Sequence, residues 1–437
     1  MFFLKLKSRK LVDNKSRDVF KNMAILFVGT SVSKIIGLAS IPILTRIYSP
    51  EDFGVLSIFM AAIAIIVPLT SMRYVVAVPL PKNDKLALNL FALCFILVFC
   101  VTIVISFLLW MFGPYFFEIT SQKIPLSYIW LVSLGVFVTS VYEIFTYWAT
   151  RKKSFSILTK VSVYQTLIGS FIKIVLGLLN FKPVGLLFGQ VVQQGGGIVL
   201  FLRNFWEFFK LNYANIRMRR ITFLFKYYKD FPLYQLPSQF VLMLSSHSLL
   251  LFSAAMYGTG LTGQLGLAIM TVSLPMQLLS QTMGKAYYAE ISETGAQQQD
   301  KIKSLSFLVM KRIFILGLIP SILIALGSEF LFPLVFGSEW AQAGVFASIM
   351  VVYMFFQFVS IPFVNLFILF KRQRYLLIMN LIRLVIMLTV FSIVYLFRLD
   401  GEFFVSLLSY SMAMFYLLVI VFLYFFWNNI NHFDKNI

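Results

Sequence analysis

Six ionisable residues of this chain lie deep inside apolar stretches, and they define the chemistry open to it. Lys34, Arg73, Lys173 and Arg383 are cations, Glu143 is the one acid so placed, and His247 is the one histidine. A cation at the centre of a hydrocarbon layer costs about 2.5–3.5 kcal/mol on insertion scales, so four unpaired ones would cost about 10–14 kcal/mol. One carboxylate cannot neutralise four cations. An excess of this sign suits a wet cavity for an anionic substrate, in which water and the substrate's own charge offset the desolvation. The four cations are therefore the candidate substrate-binding residues. Glu143 is a candidate ion-pair partner of Arg73 or Lys34, or else the carrier of a coupling proton or sodium ion. His247, beside Ser245, Ser246 and Ser248, is the second ion-coupling candidate.

Catalytic groups are not expected. The sequence contains no HExxH, no CxxC, no Walker-type phosphate loop and no acids at metal-ligand spacing. Cys94 and Cys100 share one apolar run on different sides of a helix, so they imply neither a disulfide nor a metal site. No cofactor and no metal are expected. ATP has no loop to bind, which leaves an ion gradient, the membrane potential or the substrate gradient as the energy source.

The elements that must carry these residues are membrane spans. Of the 437 residues, 60% are hydrophobic and 12% charged, too little polar surface to clothe a soluble globule. The net charge of +20 does not point to nucleic acid, because the basic residues interrupt apolar runs and form no soluble domain. Twelve stretches reach the roughly 20 residues needed to cross about 30 Å of hydrocarbon: 22–43, 55–78, 87–110, 126–149, 158–180, 184–206, 233–256, 264–287, 305–327, 344–370, 375–397 and 403–427. The Pro- and Gly-bearing stretch Ser328 to Ser338 is the expected interruption between spans 9 and 10. Gly195-Gly196-Gly197 and Pro42, Pro68, Pro275, Pro320 and Pro362 mark places where helices bend or part.

Lys and Arg collect in alternate loops. The arm before span 1 holds seven of them, and further clusters are Arg151-Lys152-Lys153, the segment Arg203 to Lys229, and Lys371, Arg372 and Arg374. The intervening loops contain only Arg46, Lys123, Lys182 and Arg398. Basic flanks resist translocation, so the expected protein is a multi-pass membrane protein with both termini cytoplasmic. The basic arm runs directly into a full-length span, and no cleavable signal is expected.

The chain also reads as built twice. Tyr48, Gly54 and Leu56 recur as Tyr257, Gly263 and Leu265, each 209 residues later, and Arg151-Lys152-Lys153-Ser154-Phe155 recurs as Lys371-Arg372-Gln373-Arg374-Tyr375. Two six-helix halves of the same orientation are related by a pseudo-twofold axis along the membrane normal. The expected organisation is all-α: a basic arm 1–21, an N-terminal lobe 22–206, a basic linker 207–232, a C-terminal lobe 233–427 and a tail 428–437. Lobes so related suit alternating access.

Several motifs resemble one family in order and spacing. Pro42-Ile43-Leu44-Thr45-Arg46-Ile47-Tyr48-Ser49-Pro50-Glu51-Asp52-Phe53-Gly54 is similar to the first outer loop of the Wzx-type polysaccharide-export flippases. Arg73-Tyr74 with Ala77-Val78-Pro79-Leu80-Pro81-Lys82, Tyr147-Trp148, Phe231-Pro232, Leu274-Pro275, and Phe336-Gly337-Ser338-Glu339-Trp340 with Gly344 continue the likeness. The resemblance implies the fold of the multidrug, oligosaccharidyl-lipid and polysaccharide exporter superfamily. It implies as substrate an undecaprenyl-diphosphate-linked oligosaccharide of O-antigen, capsule or exopolysaccharide, moved from the cytoplasmic to the outer leaflet, with a glycan polymerase and chain-length machinery as partners. The competing readings are a cation-coupled multidrug exporter, which calls for acids where this chain has cations, and a membrane polymerase or ligase, which calls for a large outer loop.

The charge alternation makes a direct prediction. In intact cells a cysteine placed at Asn212 stays unlabelled by an impermeant maleimide, whereas one at Gly260 labels; the reverse pattern overturns the topology.

Overall fold

The computed structural model describes residues 28–119, 127–294, 298–364, 366–367 and 374–428. The arm 1–21, Lys123, Lys371, Arg372 and the tail beyond 428 lie outside the described residues. Helices follow one another as α1 (Val28–Ile47), α2 (Pro50–Thr70), α3 (Asp84–Ile119), α4 (Ser127–Arg151), α5 (Phe155–Leu178), α6 (Val184–Gly195) and α7 (Ile198–Asn212). They continue as α8 (Met218–Tyr227), α9 (Leu236–Thr294), α10 (Gln299–Phe336), α11 (Ala341–Ser360), α12 (Arg374–Phe397) and α13 (Gly401–Asn428). No strand occurs among the described residues. Among the described residues eleven segments are long and apolar enough to span a membrane. The seventh, Phe231–Leu274, contains Gly258 at φ 80°, ψ −178°, a conformation outside the helix that divides α9 into two. Predicted spans 7 and 8 are these two helices. Outward-facing side chains are themselves apolar, as at Leu326 (82% exposed) and Phe330 (72%) on α10, a surface for lipid.

Two departures from the expected spans have local causes. The second helix stops at Thr70, well short of 78; residues 71–73 turn, and Tyr74–Ala77 form a single 3₁₀ turn. The sequence there is rich in β-branched valines and meets Pro79 and Pro81, which cannot extend an α-helix. The interruption expected within Ser328 to Ser338 falls at the end of that stretch: α10 runs through Pro320 and Pro333 to Phe336, and Gly337, whose φ of 108° only glycine adopts readily, parts it from the next span. The Gly-Gly-Gly of span 6 parts α6 from α7, as expected. A Cβ at Gly195 would lie 2.3 Å from Val138 and one at Gly197 would lie 2.2 Å from Val161.

The described chain clusters into two compact units, one within Met1–Ile41, Ala62–Phe116 and Ile124–Pro237, the other within Pro42–Ala61, Phe117–Lys123 and Ser238–Ile437. In the first, α1 packs on α5 through a stripe of small residues at four-residue spacing. Gly29 meets Thr159, Ser33 hydrogen-bonds Thr166 at 2.7 Å, and Gly37 meets Thr166. Its core is aromatic: Phe91, Phe145, Trp148, Phe201 and Phe209 form a chain of ring contacts at 4.9–6.2 Å.

The second unit takes residues 42–61 from the N-terminal half of the sequence. Helix α2 starts on a reciprocal cap: the Ser49 amide donates to Asp52 Oδ2 (3.1 Å) and the Asp52 amide to Ser49 Oγ (3.3 Å), with Pro50 at the first helical position. Trp340, fully buried, donates from Nε1 to the Thr45 carbonyl (3.0 Å) and meets the Phe53 ring edge-on at 4.9 Å. Gln264 ties the same region down, donating to the Glu339 carbonyl (2.6 Å) and accepting from the Ala343 amide (2.9 Å). The family-like motifs around residues 49–54 and 336–344 are thus joints of one packing arrangement.

At its centre the two repeated turns meet. A Cβ on Gly54 would stand 1.9 Å from the Thr259 carbonyl oxygen, and one on Gly263 would stand 1.7 Å from the Pro50 carbonyl oxygen. Thr259 and Gly263 are the 209-residue repeats of Pro50 and Gly54, so the contact is reciprocal about a local twofold axis. On that axis Ser57 faces its own repeat, Gly266, and Glu51 faces Gly260. A side chain at either crossing glycine must push backbone from backbone, which costs about 1–3 kcal/mol. A Ser57→Cys/Gly266→Cys pair, in which a Cβ added at 266 would stand 3.2 Å from the Ser57 Cβ, is therefore expected to oxidise to a disulfide after a shift of a few tenths of an ångström. Adding Gly54→Val is expected to lower the yield severalfold; equal yields on a gel of the oxidised proteins would overturn the packing.

A guanidinium on a broken helix, the candidate functional site

Breaking α2 puts Arg73 off the helix. Met72 and Arg73 take left-handed backbone angles (φ 46° and 61°), a conformation that costs a non-glycine residue about 1–2 kcal/mol. The break is held from several sides. Thr70 at the end of α2 hydrogen-bonds Ser140 of α4 (2.8 Å), and the buried Tyr74 donates its hydroxyl to the Phe225 carbonyl of α8 (2.8 Å). Arg151, the last residue of α4, donates to the carbonyls of Pro79 and Pro81 and to Asp84 Oδ1 (2.8 Å). Lys152 reaches the other oxygen of Asp84 at 2.6 Å and lies over the Phe208 ring at 4.3 Å. Lys153 then turns the chain into α5 at φ 54°.

Arg73 Nη1 lies 3.3 Å from Oε1 of Glu143, the sole mid-span acid, and the two side chains are 12% and 23% exposed. Tyr147, one turn further along α4, stands beside the pair. Among the described residues Arg73 Nε is buried without a hydrogen-bond partner. A carboxylate accepting a single bond from a five-donor fork leaves most of that fork for another acceptor.

The other predicted residues occupy three settings. Lys34 is half-buried on α1, one position beyond the Ser33 of the small-residue stripe. Lys173 is buried between α5 and α6, where its Nζ donates to Oε1 of Gln190 (2.6 Å) and of Gln193 (2.7 Å). Gly189 lets α6 approach so closely that a Cβ there would stand 2.4 Å from the lysine stem. In the second unit Arg383 of α12 donates to the Ser245 carbonyl (3.3 Å) and to Ser246 Oγ (3.1 Å) on α9. His247 and Tyr353 lie within electrostatic reach of that guanidinium. Arg73 and Glu143 are thus brought together, as are Arg383 and His247. The glutamine partners of Lys173 escaped the sequence reading although Gln190 and Gln193 are three residues apart, on one helical face. The break at Arg73 escaped it too, because its valines are as apolar as any span.

A profile described as "Polysaccharide biosynthesis protein" matches residues 43–345, more than half of the chain. A search of curated proteins finds no match. Among solved structures, an inward-facing multidrug resistance MATE family transporter of the MOP superfamily is similar with a TM-score of 0.64 at 13% identity, over 94% of this chain and 95% of that one. A MOP superfamily transporter from Pyrococcus furiosus, titled for the reverse polarity of its binding pocket, gives 0.62 at 14% identity, over 93% and 95%. The lipid II flippase MurJ in an inward closed conformation gives 0.63 at 14% identity, over 91% and 87%. At these identities the likeness establishes the fold alone, that of a multi-pass helical membrane protein. The profile carries the narrower assignment: this chain belongs to the polysaccharide biosynthesis protein family, the Wzx-type family that its motifs resemble.

Proposed function

We propose that this chain flips an undecaprenyl-diphosphate-linked oligosaccharide, the repeat unit of an O-antigen, a capsule or another exopolysaccharide. The movement is from the cytoplasmic to the outer leaflet of the bacterial plasma membrane, by alternating access. The observation that carries the reading is the Arg73 guanidinium, turned off its helix, contacted by one carboxylate at 3.3 Å and keeping a buried Nε that has no acceptor among the described residues. A diphosphate offers acceptor oxygens in the paired geometry that a guanidinium fork matches. Arg383, bonded among the described residues to neutral oxygens of Ser245 and Ser246, offers the same chemistry in the second unit. Lys34 and Lys173 add positive potential to the path.

In this reading the termini and the linker face the cytoplasm, and a glycan polymerase with its chain-length machinery takes up the product. A proton or sodium ion exchanged at Glu143, with His247 as the second candidate, supplies the drive. Family membership and the fold shared with a protein titled lipid II flippase support it. The multidrug exporter reading fits less well, because a cationic drug needs an acid free to meet it and Glu143 already faces Arg73.

The test is complementation of a flippase-deficient strain, backed by flipping in reconstituted vesicles. Arg73→Ala is expected to weaken substrate affinity about 10- to 100-fold, the equivalent of the roughly 1.5–3 kcal/mol of a charged hydrogen bond. Arg73→Lys is expected to lose less, and Lys34→Ala to reduce export as well. Because Arg73→Ala abandons a buried carboxylate, the double variant Arg73→Ala/Glu143→Gln separates binding from folding. Export at the parent rate by that folded double variant would overturn the reading. Glu143→Gln alone is expected to flip substrate without responding to an imposed ion gradient; an undiminished response moves coupling to another residue.

A further inference from the structure

Helix α8 lies between the end of one membrane-length segment, Val184–Asn215, and the start of the next, Phe231–Leu274. It is therefore held at the depth where spans leave the hydrocarbon. One face is built into the first unit. Ile221 and Leu224 are buried, and the Phe225 carbonyl accepts from Tyr74. The wholly buried Asn89 of α3 uses both ends of its amide on the turn before the helix, donating to the Asn215 carbonyl (3.0 Å) and accepting from the Arg217 amide (2.8 Å). Such anchoring fixes which side chains point away from the protein.

Those side chains are of two kinds. Met218 (69% exposed), Phe223 (57%) and Tyr227 (66%) stand outward, with the Phe223 and Tyr227 rings stacked on each other at 5.6 Å. Arg219 and Lys226 stand exposed among them, and Arg217, Arg220 and Lys229 flank them against one acid, Asp230. Water solvates the charges but not the rings, and hydrocarbon the reverse. The headgroup layer accommodates both, rings dipping below it and long basic stems reaching back up to it. A surplus of basic groups at that layer is complementary to anionic lipid.

We propose that α8 is an interfacial anchor that binds the anionic phospholipid headgroups of the leaflet on its side of the membrane. Because its backbone receives the hydroxyl of Tyr74, the residue after Arg73, the headgroup layer also steadies the break on which Arg73 is mounted. This inference stands independently of the substrate assigned to the transporter.

The full chain, with Cys100 replaced by Ser and a fluorophore on Thr222→Cys, is reconstituted one molecule per nanodisc in phosphatidylcholine alone or mixed with phosphatidylglycerol. No polyprenyl lipid is present, so the headgroup is the only anion offered. The label is expected to be shielded from an aqueous quencher in the mixed discs and less so in phosphatidylcholine. About 1 M salt, where the screening length falls to about 3 Å, is expected to remove the difference. Arg219→Ala and Lys226→Ala are each expected to weaken the preference about fivefold, and Phe223→Ser/Tyr227→Ser to bring the label toward water. Equal quenching in both lipids, or an unchanged preference without Arg219 and Lys226, overturns the proposal. So does shielding that appears only in discs holding two chains, which would make the occupant a second copy.

Discussion

Inside hydrocarbon the backbone has no water to bond, so every departure from a helix must be satisfied by the protein itself. The break after α2 meets this constraint through Arg151, whose guanidinium covers the carbonyls of Pro79 and Pro81, and through Tyr74. Arg151 is in turn fixed by Asp84, which also holds Lys152. The basic cluster at the α4–α5 junction thus serves the helix two spans away, and the position of Arg73 depends on it. Loosening that clamp would let the turn relax toward helix and carry Arg73 away from Glu143.

Buried cations in this chain are stabilised by different means. Arg73 has a carboxylate, Lys173 two glutamine oxygens, and Arg383 a serine hydroxyl and a carbonyl. Neutral acceptors offset part of the desolvation while leaving the net charge in place, and a fixed ion pair cancels it. In the proposed reading Lys173 and Arg383 attract an anion at a distance, and Arg73 meets it at contact range through the donors that its single bond to Glu143 leaves open.

Span number and all-helical architecture were legible because hydropathy reports directly on the solvent around a segment. The repeat was legible from Tyr48 and Gly54 against Tyr257 and Gly263. Where hydropathy is silent the reading went astray. Val75, Val76 and Val78 look like span and form a 3₁₀ turn with its flank, while Ser328 to Ser338 looks like a loop and is mostly helix. In both places the outcome was decided by tertiary partners, Arg151 and Tyr74 in one and the α10–α11 contact of Ser328 with Gly344 in the other. The site was legible in its residue types. Its pairings were not, because side-chain partners such as Gln190 and Ser246 lie on other helices and leave no spacing to read.

The crossing of α2 and α9 has an implication for how a duplicated chain can diverge. Positions that meet their own repeat across a twofold axis compete for one space, so two identical large side chains crowd each other there. Ser57 opposite Gly266 and Glu51 opposite Gly260 resolve this by giving one half the side chain and the other the vacancy. Off the axis the demand is opposite: Gly54 and Gly263 each press on the other half's backbone, and neither half can enlarge its copy. A sequence that began as two equal halves is thus driven apart at some positions and locked together at neighbouring ones by a single contact. Its residual symmetry is a record of geometry rather than of age.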